Sequence, residues 1–186
     1  MTSPHSENLM KTVPWSIIAA LGLAAPTALA AQEKLVARGG SASFTMTIEG
    51  TKQGVFAAAK GGSMAGLRFG YGAKSPRDAA SGLASGRRQH GPVVVTKLVG
   101  TGSPQIFQAL TTNEVLKSVV VVLPGEGGSS YTVKLSNAVV SEIKQYTDVV
   151  NGLAVVLEDV SFIFQRIEVE DPATKTMAMD DWMAGK

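Results

Sequence analysis

The chain has 186 residues, 45% of them hydrophobic and 17% charged, with no cysteine and a formal charge of +2. This length suits one domain, and the missing cysteine excludes disulfides, thiolate metal sites and cysteine nucleophiles. Seventeen basic against fifteen acidic side chains lack the clustered positive charge of a nucleic-acid binder, so no nucleic-acid partner is expected.

The N-terminus reads as an address. Met10 and Lys11 open a basic region, Trp15 to Ala25 is an apolar run, and Pro26 breaks it before Ala28-Leu29-Ala30, the plan of a secretory signal peptide. The run is too short for a permanent membrane span, which needs roughly 20 residues. The expected division is a signal peptide over 1–30, with the start at Met10 and cleavage after Ala30, then a linker over 31–41, a folded domain over 42–171 and a tail over 172–186.

From residue 42 onward the hydrophobic period is two. Phe44, Met46 and Ile48 alternate with polar neighbours, and Leu67, Phe69 and Tyr71 repeat the pattern, so both segments read as strands with one wet face. The segment 70–91 shows little apolar periodicity and carries Lys74, Arg77, Asp78, Arg87, Arg88 and His90, which marks a long functional loop. Val93-Val94-Val95 and Val119 to Leu123 read as strands covered on both faces. Between them Ser103 is placed as an N-cap, Pro104 at the first helical position, and Ile106, Phe107 and Leu110 as the apolar stripe of one short helix. Pro124 and the Gly125 to Ser130 run supply a turn, after which Tyr131, Val133 and Leu135 resume alternation in a hairpin. Val140, Ile143 and Tyr146 suggest another strand with a slip near Ser141, and 154–169 a long extended stretch near the centre of a sheet. Several short strands, Gly-rich turns and one helix indicate a mainly β fold, a closed β-barrel of two packed antiparallel sheets with one short flanking helix.

Catalytic chemistry is not evident. Downstream of the leader His90 is the one histidine, the acids show no ligand spacing, and no metal or cofactor is expected. No Gly-x-Ser-x-Gly elbow accompanies His90, and Gly70-Tyr71-Gly72-Ala73-Lys74-Ser75 lacks the spacing of a phosphate loop. Asp180-Asp181 could serve as an acid/base pair, but they stand in a flexible, Met-rich tail without the burial that tunes a catalytic carboxyl. Met177, Met179 and Met183 with Trp182 read as a surface that docks on the barrel or on another chain. The chain is read as a non-enzyme.

Pro76-Arg77-Asp78 through Gly86-Arg87-Arg88-Gln89-His90-Gly91-Pro92 to Lys97 resembles the haemolysin-coregulated protein (Hcp) family, the inner-tube proteins of type VI secretion systems. The Ser103-Pro104 helix, the Tyr131 to Tyr146 hairpin, Leu157-Glu158-Asp159-Val160-Ser161-Phe162 and Asp180-Asp181-Trp182 extend the resemblance, in order, over roughly 42–182. It implies a β-barrel that closes into homohexameric rings and stacks into a hollow tube, with spike, sheath and small effector proteins as partners. The ring-stacking loop it implies carries Pro76, Arg77, Asp78, Gly86, Arg87, Arg88, Gln89 and His90. Two features depart from the family pattern: the leader, and the weakly charged segment 53–62, which has no tryptophan. The leader motivates an alternative, an exported periplasmic or secreted binding module that keeps the barrel and does not build the tube. An effector enzyme is the remote third reading.

Overall fold

A computed structural model describes residues 44–150 and 152–182; the expected signal peptide and linker lie outside the described residues. The strands run β1 Phe44–Gly50, β2 Gly54–Val55, β3 Ser63–Gly70, β4 Ala73–Lys74, β5 Gln89–His90, β6 Val93–Leu98, β7 Leu116–Pro124, β8 Ser130–Val150, β9 Leu153–Ile163, β10 Arg166–Asp171 and β11 Thr176–Asp181. The helix α1, Ser103–Thr111, separates β6 from β7.

Closure follows from the pairing order. β7, β1, β3, β6 and β9 lie side by side in that order, and β8 pairs with β7 at one end of the series and with β9 at the other. Six strands thereby form a closed circuit in which each has two neighbours, which removes most sheet edges. β8 runs 21 residues because it serves two partners in succession: its first half faces β10 and its second half faces β9. The two ladders meet in the same register, Arg166 opposite Ser136 and Ile163 opposite Val139, so β9 and β10 form one return limb interrupted at Phe164 and Gln165. The long extended stretch expected over 154–169 is therefore two strands. The expected slip near Ser141 is present as a register shift between Val140 and Glu142, inside one strand instead of at the start of a new one.

The interior is filled by alternate side chains. Phe44, Met46 and Ile48 from β1, Val93 and Val95 from β6, Val119 and Val121 from β7, Val133 and Leu135 from β8, and Val160 and Phe162 from β9 are all buried in one cluster. The valine runs are not covered on both faces as expected: Val94 and Val120 are half-buried and Val122 is 36% exposed. An antiparallel wall with solvent outside explains this alternation, since such a sheet commonly packs one face on the core and leaves the other wet. Gly66 is required where it stands, because a Cβ there would come within 2.0 Å of the Phe44 ring.

Two further expectations are corrected. Ser103 is the first residue of α1 and Gly102 its cap, and Phe107 is exposed while Ile106 and Ala109 are buried against the barrel. The segment 172–186, expected as a flexible tail, contains β11, which pairs with β10 from Arg166–Asp181 to Asp171–Thr176. Backbone ladder bonds outweigh the weak local propensity of a Met-rich segment, so a strand forms.

Candidate functional site

The segment between β3 and β6 is a projecting hairpin. Its neck is the two-residue ladder β4–β5, Ala73 opposite His90 and Lys74 opposite Gln89, and its limbs meet again at the Arg77–Ala84 bridge. The tip is self-contained. The Asp78 carboxylate accepts from the Ala80 and Ser81 backbone N–H groups and the Ser81 hydroxyl, Arg77 donates to the Gly82 carbonyl, and the Asp78 N–H donates to the Leu83 carbonyl. These bonds from Ser81 and Ala80 hold the Asp78 carboxyl below the ordinary range. Leu83 is carried out to 70% exposure.

At the neck the chain is fastened to the C-terminal hairpin. Arg88 grips Asp180 with two parallel bonds, Nε to Oδ2 and Nη2 to Oδ1, both 2.6 Å. His90 Nε2 lies 2.8 Å from Asp180 Oδ2, and its Nδ1 meets the Tyr71 hydroxyl. The Asp180 carboxylate can only accept, so Nε2–H is the donor of that bond, and Nδ1 is left to the Tyr71 hydroxyl. The His90 side chain is only 7% exposed, stacked on Tyr71, edge-on to Phe164 and tilted against Trp182. The bonds from Arg88 and then His90 outweigh burial and pull the Asp180 carboxyl down to about 2. A Tyr–His–Asp order has the connectivity of a proton relay, but the Tyr71 phenol is pushed up by burial and by the Asp180 charge, the opposite of an activated nucleophile. The cluster joins the neck of the hairpin to β11 and to Phe164.

A second polar cluster anchors α1. Lys97 on β6 and Glu158 on β9 form an ion pair at 2.7 Å, with side chains 4% and 1% exposed. The Ser103 hydroxyl donates to Glu158 Oε1 at 2.6 Å and accepts from the Gly100 N–H and from Lys97, while Gln145 donates to Glu158 Oε2. Lys97 also donates to the Leu98 carbonyl, so each buried oxygen of Glu158 has a donor. A further carboxylate, Glu114, is 1% exposed and accepts from the Lys52 and Gln53 N–H groups and the Gln53 amide. Burial pushes its carboxyl up, but the bonds from Gln53 and Lys52 prevail and leave it lowered.

The residues singled out in the sequence separate into two groups. Pro76, Arg77 and Asp78 lie at or beside the tip of the projection; Gln89 and His90 form the second limb of its neck, and Gly86, Arg87 and Arg88 lead into that limb. Arg88 and His90 are engaged within the chain, by Asp180. Asp180, noticed earlier only as a possible acid/base, is the partner that sequence spacing did not connect to residues some ninety positions upstream. Among the described residues no group of three or more histidine or acidic side chains is placed to hold a metal ion. No described helix is long and apolar enough to cross a membrane.

The family described as the type VI secretion system effector Hcp matches residues 45–170. A protein of Pseudomonas aeruginosa named the major exported protein is 35% identical over 116 residues, 58% of this chain and 67% of its own. Among solved structures, an Hcp protein crystal structure aligns with a TM-score of 0.65 at 25% identity, covering 76% of this chain and 99% of its own. The secreted protein Hcp3 of Pseudomonas aeruginosa aligns with a TM-score of 0.61 at 26% identity, with the same coverage. The barrel, the projecting hairpin and these matches coincide, and the chain belongs to the Hcp family of type VI secretion proteins.

Proposed function

We propose that the protein is a non-catalytic, exported, ring-forming component of a type VI secretion apparatus, whose rings stack into a hollow tube that can carry small effectors. The observation that carries this reading is the family match over 45–170, which spans the whole barrel circuit and the projecting hairpin. The hairpin offers what a ring-to-ring contact needs: a pre-formed polar tip bearing Arg77 and Asp78, with Leu83 exposed as an apolar contact. Val149 and Val156 share one face of the β8–β9 hairpin at 65% and 44% exposure, an apolar surface suited to a neighbour within the ring. Spike, sheath and effectors are the further partners of this reading.

The test is the solution mass of the 31–186 chain by light scattering, followed by negative-stain imaging. A hexamer with a central hole, and stacks of it at high concentration, is the expected result. A monomer at all concentrations would instead favour the second reading, a stand-alone exported binding module, which the sequence of the leader favours. Intact mass of protein recovered from the periplasm is expected to begin at Ala31; a full-length cytoplasmic mass would refute cleavage and export by this leader.

A further inference from the structure

We propose that Asp180 is the positioning residue of the projecting hairpin: by clamping Arg88 and His90 it fixes the return limb to β11, so that the C-terminal hairpin sets the orientation in which the tip meets a second copy of the chain. The inference rests on the stacking role proposed above for that tip. Three observations lead to it. The neck is a ladder of only two residue pairs, and an isolated two-stranded ribbon is marginal in water even when longer. The tip is rigid in itself through Asp78 and Arg77, so its direction is decided at the neck. Beyond the ladder, the neck meets the barrel through the aromatic surround of His90 and through one carboxylate that receives three hydrogen bonds from two residues of the loop's second limb.

The charge of Asp180 matters here, and not only its shape. Both carboxylate oxygens accept from the Arg88 fork, and one of them also accepts from His90. An asparagine in its place keeps one acceptor and turns an N–H₂ group toward a donor. Asp180→Asn therefore breaks the fork at nearly constant volume. Asp78, the carboxylate within the 73–90 hairpin itself, is occupied by Ser81 and Ala80.

The experiment is hydrogen exchange of the full chain, read by mass spectrometry on peptides from 73–90 with the β9 peptide 153–163 as internal control. Asp180→Asn and, separately, Arg88→Gln at an exposed arginine are each expected to speed exchange in 73–90 by about tenfold or more, with the β9 peptide unchanged. Because Arg88 acts through Asp180, the double variant is expected to exchange no faster than Asp180→Asn alone. Loop exchange equal to that of the parent in both single variants overturns the proposal, as does additive behaviour of the double. Negative-stain stack lengths, measured on the same samples, separate the two readings. Faster exchange with shorter stacks supports both, whereas faster exchange with unchanged stacks keeps Asp180 as the clamp and removes the stacking role from the hairpin.

Discussion

Lys97→Met is the sharpest test of how the barrel holds its helix. The substitution keeps most of the aliphatic stem and removes an ammonium that is 2.7 Å from Glu158, in a site where the two side chains are 4% and 1% exposed. Glu158 retains donors from Ser103 and Gln145 but loses its counter-charge, and removing one partner of a buried ion pair costs about 3–5 kcal/mol. For a domain of this size about 4 kcal/mol corresponds to a drop in melting temperature of roughly 10 °C. The double variant Lys97→Met/Glu158→Leu removes both charges. Its cost reduces to about 1 kcal/mol for each acceptor withdrawn from Ser103 and Gln145, partly offset by the avoided desolvation. The measurement is urea and thermal unfolding followed by circular dichroism. A single variant within about 1 kcal/mol of the parent, or a double variant no more stable than the single, would show that the pair is hydrated and that the reasoning fails.

Gly66→Ala would place a Cβ 2.0 Å from the buried Phe44 ring and is expected to cost about 1–3 kcal/mol, while Gly72→Ala, with open space around it, stays within about 0.5 kcal/mol of the parent by the same unfolding assay. Glu114→Ala strips three donors of their acceptor and is expected to cost about 3 kcal/mol, read from the urea midpoint. For the Asp180 clamp the folded carboxyl titrates at about 2, below its ordinary 3.8, so its contribution is complete above about pH 4 and is lost as pH falls through about 2. Urea midpoints of the parent and of Asp180→Asn, measured against pH, are expected to differ above about pH 4 and to converge as pH falls toward 2; a difference that persists at low pH would refute this assignment.

The fold was legible where burial repeats locally. Phe44, Met46 and Ile48 announce β1 because one face of an antiparallel wall alternates, and the Pro124–Ser130 turn separates two such patterns. The valine runs misled because β-branched residues suit any strand, and period alone does not reveal how wet the outer face is. The continuity of β8 was hidden by its change of partner, from β10 to β9, across a bulge that interrupts the alternation. β11 was invisible for a different reason. Its residues are almost all exposed, so no apolar pattern marks it, and it exists through backbone bonds to β10.

The candidate site divides along the same line. The loop's charges and its length could be read directly, but a pair such as Arg88–Asp180 has no local signature. Closure of the barrel carries β10 and β11 back past the neck of a hairpin that left the sheet between β3 and β6. Lys97, Ser103 and Glu158 show the same logic inside the wall: a basic residue on one strand, the first residue of a helix and an acid on a distant strand become a satisfied cluster only after β6 and β9 pair in register, with Lys97 opposite Glu158. Charged residues embedded in strand patterns are thus the informative anomaly. A lysine directly after Val93 to Thr96, and a glutamate directly after Leu157, each break an otherwise apolar inward face, and such a break is tolerated in a core only when the partner arrives with the fold.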